Sequence, residues 1–283
     1  HVHHYRGEIL YCGGMGMGRL VVRNVRAGHT NGSCLNLYGA DLLVENCTFD
    51  GPSRFWMELT ARQNQGGHPV NRSVFRRNVF TNAVGATAIV MCQGDFRTYE
   101  FVFDSNTISG CPGVFGIYGG VAGPVRITGN TIDSCGTVLE FGQTPGWINS
   151  GANANVFLER TTVTRGGSLA SFSGTAESVS VRDNRFTGRS STEPGRSTAV
   201  FYGAANLRNC VVESNTFRNC RTPEQTATIT GTRPLFRDNA YVTVERRHTH
   251  GMDWVSATAP KATPHCEEHQ IMTDADNTVA VLE

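Results

Sequence analysis

Glu58 and Glu140 each lie on a short alternating segment, "FWMELT" and "VLEFG". A pair of carboxylates is the standard equipment for glycosidic-bond chemistry: one protonates the leaving oxygen while the other acts as base or nucleophile. Strand alternation assigns their neighbours to faces. In "FWMELT", Phe55, Met57 and Leu59 are expected inward, and Trp56 and Glu58 outward. In "CLNLYG", Leu35 and Leu37 face in, with Asn36 and Tyr38 out. "IVMCQG" sends Val90 and Cys92 in, with Met91 and Gln93 out. "VFGIYGG" presents Tyr118, "VLEFG" Glu140, "LASFSG" Ser171 and Ser173, and "TAVFYG" Tyr202. The outward stripe is then Tyr38, Trp56, Glu58, Gln93, Tyr118, Glu140, Ser171 and Tyr202. Aromatic rings pack on the apolar faces of sugars, and carboxylates and amides bond their hydroxyls.

Two further segments carry groups suited to β-elimination, which needs a base for a sugar proton and a cation for the adjacent carboxylate. The stretch after Trp56 holds Arg62, Gln63, Asn64 and His68; "GDFRTYE" holds Asp95, Arg97, Tyr99 and Glu100. The catalytic candidates are therefore Glu58, Glu140, His68, Arg97 and Tyr99. The substrate-binding candidates are Tyr38, Trp56, Gln93, Tyr118, Tyr202 and Arg62.

What positions them is a repeat. "DSNTISGC", "TGNTIDSC" and "ESNTFRNC" share one phrase, with looser copies in "RRNVFTN", "RDNRFTG" and "RDNAYVT". Aligned on the apolar residue, the position two before it is Cys47, Asn78, Asn106, Asn130, Thr161, Asn184, Asn215 and Asn239, with a poorer copy around Asn24. Spacings run 31, 28, 24, 31, 23, 31 and 24 residues. Each phrase follows a short β-like run such as "LLVE", "SVFR" or "FVFD", and a second, usually Gly-terminated strand lies between phrases. Repeats of strands and turns without an amphipathic helix predict an all-β chain, a right-handed parallel β-helix of about nine coils. The recurrent Asn is expected at one corner of every coil, its amide bonding the turn and the Asn of the next coil. The apolar residue two later points into the core. At about 4.8 Å per coil, Glu58 on the third coil and Glu140 on the sixth are roughly 14 Å apart, beyond the roughly 5–9.5 Å of a hydrolase pair.

These phrases make the chain resemble the right-handed parallel β-helix superfamily over about residues 7–245. That family includes pectate-lyase-like lyases, polygalacturonase-like hydrolases, alginate epimerases and phage tailspikes. The resemblance implies binding, with or without depolymerisation, of an extracellular or cell-surface polysaccharide; the alternative it implies is a non-catalytic tailspike-like adhesin or structural surface solenoid. No named subfamily carries over: the NTD, DD, GHG and RxK set, the DPHD motif and the WxDH element are all missing. Calcium is compatible with pectate-lyase-like relatives, although no dense Asp cluster supports it; no other cofactor is expected.

Composition narrows the classes. The formal net charge of +1 offers no field for nucleic acid, and no apolar run reaches membrane-spanning length. Lys261 is the only lysine, so no earlier lysine can serve as base or Schiff-base nucleophile. The nine cysteines include Cys111, Cys135 and Cys220 in one repeat register, and a Cys111–Cys135 disulfide requires adjacent coils. Histidines cluster at the ends: His1, His3 and His4, then His248, His250, His265 and His269 beside Cys266; their spacing matches no standard zinc site. The repeat fades after about residue 245, dividing the chain into a solenoid, 1–245, and a tail or cap, 246–283. The opening "HVHHYRGEIL" reads as the middle of a longer chain. A solenoid end exposes strand edges, so a homotrimer or a larger parent chain would supply the missing cap. The expected setting is extracellular, on a cell surface or on a virion.

Overall fold

The computed structural model describes residues 2–3, 10–12, 19–38, 41–52, 56–61, 70–83, 89–93, 98–118, 122–142, 153–188, 201–220, 224–231, 235–244, 248–250 and 278–280. Every strand pairing among them is parallel, and the strands stack in three columns. Sheet I, before the asparagine corner, contains β3 (Arg19–Arg23), β6 (Asp41–Glu45), β9 (Val70–Arg76), β12 (Thr98–Asp104), β14 (Ala122–Thr128), β16 (Asn153–Glu159), the end of β18 (Ser168–Arg182), β21 (Val211–Glu213) and β24 (Leu235–Arg237). Sheet II, after the corner, contains β1 (Val2–His3), β4 (Arg26–Gly28), β7 (Thr48–Asp50), β10 (Val79–Thr81), the starts of β13 (Thr107–Tyr118) and β15 (Thr131–Gly142), β17 (Thr162–Gly166), β19 (Arg185–Gly188), β22 (Thr216–Cys220), β25 (Ala240–Val244) and β27 (Thr278–Ala280). Sheet III contains β2 (Leu10–Cys12), β5 (Leu35–Tyr38), β8 (Met57–Ala61), β11 (Ile89–Gln93), the ends of β13 and β15, the start of β18, β20 (Phe201–Arg208), β23 (Glu224–Gly231) and β26 (His248–His250).

The chain runs II, III, I in each coil, so it is an all-β parallel β-helix, the class that the repeat predicts. Among the described residues the columns hold eleven strands in sheet II, ten in sheet III and nine in sheet I. The repeat alone yields a single figure of about nine coils, whereas the count depends on the sheet followed.

The corner between sheets I and II explains the repeated phrase. The residue before each ladder position has positive φ: Asn46 54°, Arg77 55°, Ser105 55°, Gly129 65°, Arg160 48°, Asp183 55°, Ser214 56° and Asp238 52°. This left-handed residue turns the chain, and the following Asn points inward. Asn78, Asn106, Asn130, Asn184, Asn215 and Asn239 are all buried. Each Oδ1 accepts from the coil before: Cys47 N–H donates to Asn78 (2.9 Å), Asn78 N–H to Asn106 (2.9 Å), Asn106 N–H to Asn130 (2.8 Å), Asn184 N–H to Asn215 (2.9 Å) and Asn215 N–H to Asn239 (3.0 Å). Buried amides are tolerated because these bonds satisfy them. Asn24 sits one place early: with φ of 56° it is the turn residue, and Val25 holds the ladder position, its carbonyl accepting from Thr48 N–H.

Two residues beyond the ladder, Phe49, Phe80, Ile108, Ile132, Val163, Phe186 and Phe217 are buried in a single core. Phe49 and Phe80 stack with ring centres 5.1 Å apart, and Phe141 and Phe172 do so at 5.0 Å. No one coil encloses this core. Its stability comes from neighbours, as in any solenoid.

Candidate functional site

The rows of sheet III are fixed by register. Asn36 pairs with Glu58, Glu58 with Val90, Val90 with Gly116, Gly116 with Glu140, Glu140 with Ser171, and Ser171 with Tyr202. Inward neighbours bracket this column: Met57, Ile89, Phe115, Leu139 and Ala170 on one side are all fully buried. Within it, Glu140 and Ser171 are half-buried. A second column, two residues on, joins Tyr38, Thr60, Cys92, Tyr118 and Gly142. The register thus groups Glu58, Glu140 and Tyr202 in one row and Tyr38 and Tyr118 in the row beside it. Glu58 and Glu140 are three coils apart, which at parallel-strand spacing is roughly 14 Å, and Val90 and Gly116 fill the intervening positions.

One expected member of the stripe does not belong to it. Trp56 is 0% exposed. Its indole Nε1–H donates to the Thr81 carbonyl at 3.2 Å, and its ring lies 5.3 Å from that of Phe80. It stands at the bend before β8, where alternation does not yet hold, so Trp56 and Met57 are consecutive buried residues. In β11 the buried residue is Ile89, and Met91 pairs with Leu59 and with buried Ile117. Val90 and Cys92 thus share register rows with Glu58 and Thr60. Gln93 pairs with Ala61, two places beyond Leu59.

Arg62, His68 and Arg97 lie outside the described residues. Tyr99 is on β12 in sheet I, paired with Asn71, and shares strand parity with buried Phe101 and Phe103. Tyr99 is therefore on a different sheet from the sheet III rows.

The densest polar chemistry is elsewhere, on the outer edge of sheet I. Arg23, Glu45, Arg76, Asp104, Thr128, Glu159, Arg182, Glu213 and Arg237 are successive register partners. Charge alternates from coil to coil except at Thr128. A parallel row, Arg19, Asp41, Arg72 and Glu100, alternates in the same way. Glu45 is the focus: Arg23 reaches it at 2.5 Å, Arg76 at 2.6 Å and Arg77 at 2.9 Å. The stems of these arginines cover the carboxylate although it lies on the outer face. The Arg76 hydrogen bond, aided by the charges of Arg23 and Arg77 and opposed by desolvation, holds its pKa below the usual carboxylate range. Glu213 is similarly lowered, chiefly by the hydrogen bond from Arg237. The signal was present in the sequence, in the terminal letters of "LLVE", "SVFR", "FVFD", "NVFLE", "SVSVR", "CVVE" and "PLFR".

Sheet II shows a matching device. Asp50 accepts from Thr81 Oγ1 at 2.6 Å and Asn82 Nδ2 at 2.8 Å. Asp133 accepts from Thr164 Oγ1 at 2.8 Å and from the Arg165 guanidinium. In both cases a carboxylate on one coil binds a threonine and the following turn residue on the next. Among the described residues no three His, Cys, Asp or Glu side chains converge as a metal site.

No protein-family model, curated protein or solved structure matches the chain.

Proposed function

We propose that the outward face of sheet III binds an extended polysaccharide, in an extracellular, cell-surface or virion-associated setting. The observation that carries this reading is the register itself: Glu58, Glu140 and Tyr202 occupy one row, flanked by Tyr38 and Tyr118 in the next. Tyrosines and carboxylates repeated along a solenoid axis suit a linear chain of sugars rather than a compact ligand. Glu58 and Glu140 act here as hydroxyl acceptors. Their separation of roughly 14 Å does not suit two-carboxylate hydrolysis. Depolymerisation, in this reading, falls to elimination by His68, Arg97 and Tyr99 with Arg62.

A second reading is a non-catalytic, tailspike-like or structural solenoid. The self-satisfied charge ladder of sheet I favours it, because those groups are committed to neighbouring coils. One experiment separates the two. The chain, Tyr118→Ala and Glu140→Gln are measured by affinity electrophoresis against acidic and neutral polysaccharides, while reducing ends and unsaturated products are followed with and without calcium. Binding that weakens about tenfold in either variant, a loss of about 1.4 kcal/mol, supports the sheet III face. Retention unaffected by both variants, or none across the panel, transfers the argument to the structural reading.

A further inference from the structure

We propose that Cys111 and Cys135 are a covalent cross-linking site, joining two successive coils through a disulfide. The two residues are register partners across β13 and β15. Both are buried, and their sulfurs are 3.2 Å apart. In-register parallel strands place Cα atoms about 4.8 Å apart, inside the roughly 4.4–6.8 Å that a disulfide spans. Forming the bond needs only about 1 Å of sulfur movement to reach the usual S–S length of about 2.05 Å.

The backbone keeps these thiols together. Each cysteine follows a left-handed turn residue, Gly110 with φ of 66° and Ser134 with φ of 54°. Just beyond them, a Cβ on Gly136 would lie 1.7 Å from the Pro112 carbonyl oxygen, so glycine is required for the coils to close here. The next coil is tied on as well, Gly167 N–H donating to the Cys135 carbonyl at 2.9 Å. Cys135, like Cys47, Cys210 and Cys220, donates to the carbonyl two residues back, here of Asp133 at 3.2 Å, as those donate to Glu45, Arg208 and Arg218. Cys111 instead donates to the sulfur of Cys135. That hydrogen bond and burial raise the Cys111 pKa.

The oxidant is a small disulfide, with oxidised glutathione as the probe. One cysteine thiolate attacks a glutathione sulfur, the glutathione S–S bond breaks, and one glutathione thiolate leaves. The second cysteine thiolate then attacks the protein sulfur of this mixed disulfide and expels the other glutathione. Two protein thiols are oxidised, one glutathione disulfide is reduced to two thiols, and the two protons end on those thiols. Because both cysteines are buried, the exchange takes place as the coils dock.

The test refolds the full chain in buffers of oxidised and reduced glutathione, traps free thiols by alkylation and maps the peptides. The expected product is a peptide linked through Cys111 and Cys135, in a chain whose Tm rises by roughly 5–8 °C for a 24-residue separation. Reductant reverses the rise, and Cys111→Ala and Cys135→Ala do not show it. Recovery of both residues as separate alkylated or glutathionylated peptides at the most oxidising ratio overturns the proposal. So does pairing of either with a different cysteine. The wild-type peptide map decides the matter even where a variant folds poorly.

Discussion

Replacing Asn106 by alanine tests whether the corner asparagine is a structural keystone. Its amide is fully used. Nδ2 donates to the Phe75 carbonyl at 3.0 Å and to Asn130 Oδ1 at 3.2 Å, while Oδ1 accepts from the Asn78 backbone N–H at 2.9 Å and from Asn78 Nδ2 at 3.0 Å. Alanine leaves the Asn78 N–H, one Asn78 amide hydrogen and the Phe75 carbonyl without these partners, in a site closed to water. At about 1–3 kcal/mol per stranded buried group, with some relaxation, the expected loss is about 4 kcal/mol. Thr161 supplies the control at the same corner. Its Oγ1 makes a bond within its own coil, to the Glu159 carbonyl at 3.2 Å, and its N–H still reaches Asn184 Oδ1 at 2.9 Å without the side chain. Thr161→Ala is expected to lose about 1 kcal/mol. Urea unfolding followed by far-ultraviolet circular dichroism reads both. Equal losses for the two variants, or less than about 1 kcal/mol for Asn106→Ala, would refute the ladder argument. Asn106→Asp sharpens the test: its second oxygen would face the Phe75 and Asn130 oxygens, and it should be at least as damaging as alanine.

Trp56→Ala is expected to lose about 3–5 kcal/mol by emptying a core site, whereas Trp56→Phe at accessible temperature leaves polysaccharide retention unchanged; a selective loss of retention in the latter would restore Trp56 to the binding face. Arg76→Glu places acids on three successive coils, with Glu45 and Asp104, so its urea midpoint should fall most at low salt and recover partly at high salt; a salt-independent change would refute a role for charge alternation. Asp133 has its pKa lowered first by the Arg165 hydrogen bond, and Asp50 by the Thr81 hydrogen bond. A depressed folded-state pKa contributes stability that is present above the unfolded value, about pH 4, and is lost as pH falls through the folded value. Stability should therefore decline below about pH 4, and less steeply in Asp133→Asn, as measured by Tm across an acid series; identical slopes would count against it.

Much of the architecture was legible because its causes are local. A left-handed residue, an inward Asn and an apolar residue two later occupy consecutive positions, and any chain segment carrying them turns the same corner. Buried Phe80, Ile108, Ile132 and Phe186 lie where that phrase predicts. The sheet III rows were partly legible for the same reason: Met57, Phe115, Leu139 and Phe141 face in, and Glu140 and Ser171 lie between them on the other face. Phase failed where alternation was extended across the bend at Trp56, which is buried beside Met57.

By itself, the sequence determined the repeat, its corners and the parallel solenoid, because each is encoded within a phrase of a few residues and copied. Only the tertiary structure decided which residues of different copies meet. Arg23, Glu45, Arg76 and Arg77 converge, Cys111 touches Cys135, and Glu58 remains three coils from Glu140. These contacts depend on the register between coils. That register is set by how many residues each intervening turn consumes and by how closely backbones such as those at Pro112 and Gly136 can approach. A one-residue change in either reverses which face a side chain occupies.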